Sequence, residues 1–204
     1  MKILNNFIVF EGGDGSGTST QLEMLKTLSF SPLYLTFEPS NGPIGHLIRS
    51  GLRGEIILQK ESIAYLFAAD RNEHVFGPEG IVERVNQGEL VICDRYILSS
   101  LVYQGITCGD ELPLILNSGF PLPELLFFFD LDPETAQKRM ENRSIKEIYE
   151  TLDFQIKVWN KYKTLLPKFA EKGCRVEIIN ASRPKDEVAR DVWRVMEKLP
   201  IFKA

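Results

Sequence analysis

Cysteine is scarce in this chain of 204 residues: Cys93, Cys108 and Cys174 make three. An odd number at scattered spacings fits neither a disulfide framework nor a paired CxxC metal site, and it predicts reduced, intracellular thiols. Histidine is scarcer still. His46 and His74 have no Cys or carboxylate cluster at metal-ligand spacing, so both are read as surface or packing residues without a role. No run approaches the roughly 20 apolar residues of a membrane span, and Met1 to Asn6 carries no apolar leader, so the expectation is a cytoplasmic protein with no membrane partner. A strong positive balance is also missing. The 24 Lys plus Arg against 28 Asp plus Glu leave −4, which argues against a general nucleic-acid binder and makes any phosphate chemistry local. What is there is ordinary: 44% hydrophobic and 25% charged residues place the chain among globular proteins, long enough for one core over residues 1–204.

Short apolar runs alternate with helical patterns, the signature of a parallel sheet covered by helices on both faces. Five strands are predicted at Phe7 to Glu11, Leu33 to Phe37, Leu90 to Asp94, Leu125 to Leu131 and Val176 to Asn180. Helices are predicted over Thr18 to Leu28, Ile44 to Leu52, Glu61 to Asn86, Pro133 to Glu141, Ile145 to Phe169 and Pro184 to Leu199. Pro39 to Gly45 and Thr107 to Pro113 are rich in turn formers and read as loops.

Directly after the first strand stands Gly12-Gly13-Asp14-Gly15-Ser16-Gly17-Thr18-Ser19, a G-x-x-x-x-G-K-[ST] phosphate loop with Thr18 in place of the lysine. Its glycines let successive backbone N–H groups converge on one anion, and the following helix adds its positive end. Ser19 would ligate Mg²⁺. Asp94-Arg95 follows the third strand, where open parallel sheets bind ligands; Arg95 offers a fork for phosphate oxygens, and Asp94 a carboxylate for Mg²⁺ or its water.

These residues carry a resemblance. Phe10-Glu11-Gly12-Gly13-Asp14-Gly15-Ser16-Gly17 with Ser19-Thr20-Gln21 resembles the opening of thymidylate kinases. Glu38-Pro39 with Ile48-Arg49, Leu66-Phe67-Ala68-Ala69-Asp70-Arg71, Asp94-Arg95-Tyr96, Ser99-Ser100, Tyr103-Gln104-Gly105, Lys138-Arg139 and Leu152-Asp153-Phe154-Gln155 extend it along nearly the whole chain. The resemblance implies a P-loop kinase fold with a short lid at about 142–152, transfer from Mg-ATP to dTMP, and a homodimer. It implies that Gly13, Asp14, Gly15, Ser16, Gly17, Thr18, Ser19, Thr20 and Arg139 bind ATP. Asp14, Glu38, Phe67, Arg71, Arg95, Ser99, Ser100, Tyr103 and Gln104 would hold dTMP. Within that set Asp14 would meet the deoxyribose 3′-hydroxyl, Phe67 would stack on thymine, Arg71 would bond the base, and Tyr103 would crowd the 2′ position.

Several family cations are missing: besides Thr18, Gly15 stands where some relatives carry a loop arginine, Ile148 at the corresponding lid position, and Phe37 before Glu38-Pro39. Arg143, with Arg139 and Lys146 nearby, is the candidate replacement, which makes Asp94, Arg95 and Arg143 the expected catalytic set. A nucleotide-binding relative without transferase activity and a nucleoside kinase of related fold stay open at this stage.

Overall fold

The computed structural model describes residues 2–26, 32–141 and 148–202. Strands β1 (Ile3–Glu11), β2 (Leu33–Phe37), β3 (Leu90–Asp94), β4 (Leu122–Asp130) and β5 (Arg175–Asn180) form one parallel sheet in the order β2-β3-β1-β4-β5. All five predicted strands are found, β1, β4 and β5 with earlier starts and β4 ending at Asp130 rather than Leu131. Alternation along the inner strands divides the core in two. Phe7, Val9, Val91, Cys93, Leu126 and Phe128 face one helical layer, whereas Ile8, Phe10, Leu90, Ile92, Phe127 and Phe129 face the other. With both faces covered, these strands have no polar side, and their sequences read as unbroken apolar runs.

The helices are α1 (Thr18–Leu25), α2 (Pro43–Leu52), α3 (Lys60–Phe76), α4 (Ile81–Asn86), α5 (Ile97–Cys108), α6 (Glu111–Asn117), α7 (Pro133–Met140), α8 (Leu152–Glu171) and α9 (Lys185–Met196). Four expectations are corrected. The single helix predicted over Glu61 to Asn86 is two, because Pro78 has no N–H to continue the ladder and pushes Gly77 into extended geometry, with ψ 173. Helix α5 was not predicted: buried residues cover most of its circumference, so no polar stripe marks its period. Helix α6 occupies part of the loop expected at Thr107 to Pro113, and Pro113 sits in its first turn, where a missing N–H costs nothing. Helix α8 starts at Leu152, after an extended Thr151 with ψ 144, so residues 148–151 are not part of the helix expected over Ile145 to Phe169, whose first residue Ile145 lies outside the described residues. Leu28, Arg143 and Lys146 lie outside the described residues.

The chain leaves β1 toward β2 and β3 toward β4, on opposite sides of β1. A crevice therefore opens beyond the carboxyl ends of the central strands, where Glu11 and Asp94 stand. Among the described residues, no helix is long and apolar enough to cross a membrane.

Candidate active site

The loop between β1 and α1 has the backbone its glycines permit. Gly15 and Gly17 have φ of 81° and 96°, in the left-handed region that L side chains rarely adopt. At Gly15 a Cβ would also lie 2.7 Å from the carbonyl oxygen of Ala136 on α7. The missing loop arginine is thus a backbone matter as well as a charge: this loop is packed too closely on α7 to carry it without moving. Ser19 Oγ donates to Asp94 Oδ2 at 2.5 Å. Among the described residues, Asp94 Oδ1 and Ser16 Oγ are buried without a protein partner, an arrangement that costs free energy unless a ligand supplies one. A hydroxyl and a carboxylate are the hard oxygen donors Mg²⁺ prefers, so the donor set fits that ion.

On the other side of the crevice, Arg95 follows β3 with φ 67°, fixed by its N–H to Phe10 O at 2.8 Å. Its guanidinium donates to Asp14 Oδ1 at 2.6 Å and to Gly12 O at 3.1 Å, with longer bonds to Ser99 Oγ and Tyr103 OH at 3.4 Å. Burial alone would disfavor the cation, but the Asp14 and Asp94 carboxylates beside it hold it well above the ordinary arginine value. Burial likewise pushes the Tyr103 phenol well above its usual range, keeping it protonated.

Beneath this turn lies Glu11, fully buried. It accepts from the N–H groups of Tyr96 and Ser99 at 3.0 and 3.2 Å, Ser99 Oγ at 2.6 Å and Tyr162 OH at 2.9 Å. Desolvation raises its pKa, against the opposing pull of these bonds and of Arg95. Glu11 thereby holds the start of α5, and with it Arg95, against β1.

Deeper in the cleft, Arg71 donates to Glu38 Oε2 at 2.9 and 2.6 Å, to Ser100 Oγ at 3.2 Å, and to Asn117. His74 bridges Glu38 Oε1 at 3.1 Å and Thr36 Oγ1 at 2.7 Å. His74 therefore corrects the expectation of a residue without a role: it braces Glu38 from a partly buried position. Among the described residues, both amide atoms of Gln104 and the Tyr96 hydroxyl are buried without a protein partner.

One cleft of about 570 Å³ takes in both sides. Gly13, Asp14, Gly15, Ser16, Gly17, Thr18, Ser19, Thr20 and Arg139 line it, as do Glu38, Phe67, Arg71, Arg95, Ser99, Ser100, Tyr103 and Gln104; Asp94 reaches it through Ser19. Ser99 faces the cleft with its hydroxyl already engaged by Glu11 and Tyr162. Arg139 donates to Ala181 O at 3.0 Å, on the α9 side of the loop. Arg49 and Tyr96, quoted from sequence only as parts of motifs, also line the cleft, as do Arg183 and Lys185, which the sequence did not single out. Asn117 was not singled out either, and Glu11 and Gln155 stood only inside motifs quoted for the resemblance, with no role given to their side chains.

A strand-loop-helix turn of the phosphate-loop kind, joined by Arg95 to the deeper, Gln104-lined end of the same cleft, defines the class as a P-loop phosphotransferase. The comparisons narrow the class: the thymidylate kinase family matches residues 10–192. A protein of Pyrobaculum aerophilum named probable thymidylate kinase is 41% identical over 97% of this chain and 99% of its own. One of Methanococcus aeolicus with the same name is 39% identical over 96% and 98%. A solved thymidylate kinase from Candida albicans superposes with a TM-score of 0.80 at 30% identity, covering 94% of this chain and 90% of that one. The chain belongs to the thymidylate kinase family.

Proposed function

We propose that the protein transfers the γ-phosphoryl group of ATP to dTMP, giving dTDP and ADP. A phosphate oxygen of dTMP attacks the γ-phosphorus, the bond to the β–γ bridging oxygen breaks, and ADP leaves with that oxygen. The observation that carries the reading is the placement of the loop's orphaned Ser16 and Asp94 oxygens and the orphaned Gln104 amide at one cleft, with Arg95 between. The backbone from Gly13 to Thr20 holds the donor phosphates, and Arg139 lies toward the adenine. Ser19 and Asp94 would hold Mg²⁺, which when bound would supply neutralization of charge on the phosphates. Arg95 orients the acceptor phosphate against the donor. Asp14 accepts the 3′-hydroxyl, while Phe67, Arg71, Ser100 and Gln104 read the base above the Glu38 brace, and Tyr103 closes the 2′ position.

We place this chemistry in one domain, residues 1–204, with a lid at about 142–152, in the cytoplasm and in a homodimer. Support for the dimer comes from the exposed Tyr65 and Phe76 on α3 and Leu114 and Ile115 on α6, two helices that pack together.

A coupled ADP-release assay with ATP and each deoxynucleoside monophosphate tests the reaction, with dTDP confirmed by chromatography. By calorimetry dTMP is expected to bind more tightly than UMP. Phe67→Ala should weaken dTMP binding by about 1–3 kcal/mol with ATP affinity unchanged, as for other bases stacked on aromatic side chains. Equal binding of dTMP and UMP, or an indifferent Phe67→Ala, would overturn the acceptor assignment.

On the donor side, Thr18 is buried in the first turn of α1, where a lysine would reach the β- and γ-phosphates. Thr18→Lys is therefore expected to raise kcat by about 100-fold, the lower end of the worth of one preorganized electrostatic donor. An unchanged or lower rate would assign the missing charge to another cation of the cleft.

A further inference from the structure

Asp14 is the acidic residue of the glycine loop, and its carboxylate is held from two sides. Arg95 takes Oδ1. On the other side stands Gln155, in the first turn of α8 and buried. Its Nε2 donates to Asp14 Oδ2 at 2.6 Å and to the Tyr149 carbonyl at 2.9 Å, and its Oε1 accepts the Asp14 N–H at 3.2 Å. The approach is close enough that a Cβ on neighboring Gly13 would lie 3.3 Å from Oε1. One amide thus fixes both the backbone and the side chain of Asp14. The Tyr149 ring stacks on Phe154 at 4.8 Å and tilts against Tyr103 at 5.9 Å, which ties the same stretch to the acceptor wall.

We propose that Gln155 is a positioning residue for recognition of the acceptor's 3′-hydroxyl, acting by orienting the Asp14 carboxylate; the inference rests on the reading of Asp14 as the group that meets that hydroxyl. A carboxylate has about four lone-pair sites, so one bond to Arg95 and one to Gln155 leave room for a sugar hydroxyl while forbidding rotation. Only an amide fits between these partners. A carboxylate at this position would offer no donor to Oδ2 and would set two negative groups at hydrogen-bond distance, where one must take up a proton. Alanine would leave the Asp14 N–H and Oδ2 without these bonds and free the carboxylate to swing toward Arg95 and Tyr103, the other charged and titratable groups that face it.

The test compares kcat/KM for dTMP and for its 3′-deoxy analogue in the full-length parent, Asp14→Asn, Gln155→Ala and Gln155→Glu. The parent is expected to prefer dTMP, and Asp14→Asn to lose that preference. Gln155→Ala should lower kcat/KM for dTMP by about 10- to 100-fold, the worth of hydrogen bonds to a charged group, with the analogue affected far less. Gln155→Glu should recover the dTMP preference as pH falls from about 8 to about 6, because the introduced carboxyl, once protonated, can again donate to Asp14. Equal losses for both acceptors in Gln155→Ala, with Asp14→Asn behaving as expected, would overturn the role of Gln155 and leave Asp14 standing. A parent indifferent to the 3′-hydroxyl, or a preference that survives Asp14→Asn, would overturn the Asp14 reading and the proposal with it. Should Gln155→Ala fail to fold, the near-isosteric Gln155→Glu decides alone, and a dTMP preference equal to the parent's at every pH would overturn the proposal.

Discussion

Arg95→Ala is expected to lower kcat by about 1,000-fold or more, the range found when a preorganized cation is removed from a phosphoryl-transfer site. The expectation starts from the backbone. Arg95 has φ 67°, a conformation that costs any residue with a Cβ about as much, so alanine keeps the strain and removes only the guanidinium. That guanidinium is held in advance by Asp14 and the Gly12 carbonyl, and its charge is secured by the oxygens around it. No reorganization is needed when charge spreads over the transferring group. Arg95→Lys should recover only part of the rate, because an ammonium keeps the charge but loses the planar fork. Single-turnover measurements with saturating ATP and dTMP separate this loss from binding. A turnover within tenfold of the parent's would remove Arg95 from the catalytic center.

How much of this was legible in the sequence depended on whether a residue's partners lay nearby in the chain. The sheet was legible because both faces of β1, β3 and β4 are covered, which writes burial into consecutive residues such as Phe7 to Phe10 and Leu125 to Phe129. The same burial hid α5. With Leu98, Leu101, Val102 and Tyr103 all inside, its apolar residues fall around the helix rather than along one stripe. At Gly77-Pro78, by contrast, the break between α3 and α4 was local and could have been read from the proline alone.

The site divides in the same way. Glycine spacing exposed the anion loop, and the Asp94-Arg95 pair at a strand end exposed the center of the cleft. Gln155 stands 141 residues from Asp14, and Arg71 meets Asn117 across 46, so neither pairing leaves a spacing to read. His74 shows the limit most clearly. Without a partner in sequence it has no distinguishing feature, and its function as the brace of Glu38 exists only once α3 is laid against β2. Nor does sequence explain why Gly15 can dispense with an arginine. The carbonyl of Ala136 occupies the space its side chain would need.

Glu38→Ala is expected to destabilize the fold by about 3–5 kcal/mol, the cost of stranding a buried charge. The Arg71 and Glu38 side chains are only 1% and 2% exposed, and Glu38 Oε2 receives two of the guanidinium's donors. Asn117 and Ser100 satisfy further donors but carry no charge, so they cannot replace it. At about 2–4 °C per kcal/mol for a domain of this size, Tm should fall by about 6–20 °C. Glu38→Gln, which preserves an acceptor, should fall less. The double variant Glu38→Leu with Arg71→Met separates stability from recognition. Replacing both charges by apolar groups of similar length should restore much of the lost stability, since a buried pair is expensive to desolvate in the first place. Yet that variant should bind dTMP no better than Glu38→Ala, because the group proposed to bond the base is gone. A Tm within about 2 °C of the parent's for Glu38→Ala, roughly the effect of a substitution below 1 kcal/mol, would mean that the Arg71 charge is compensated elsewhere.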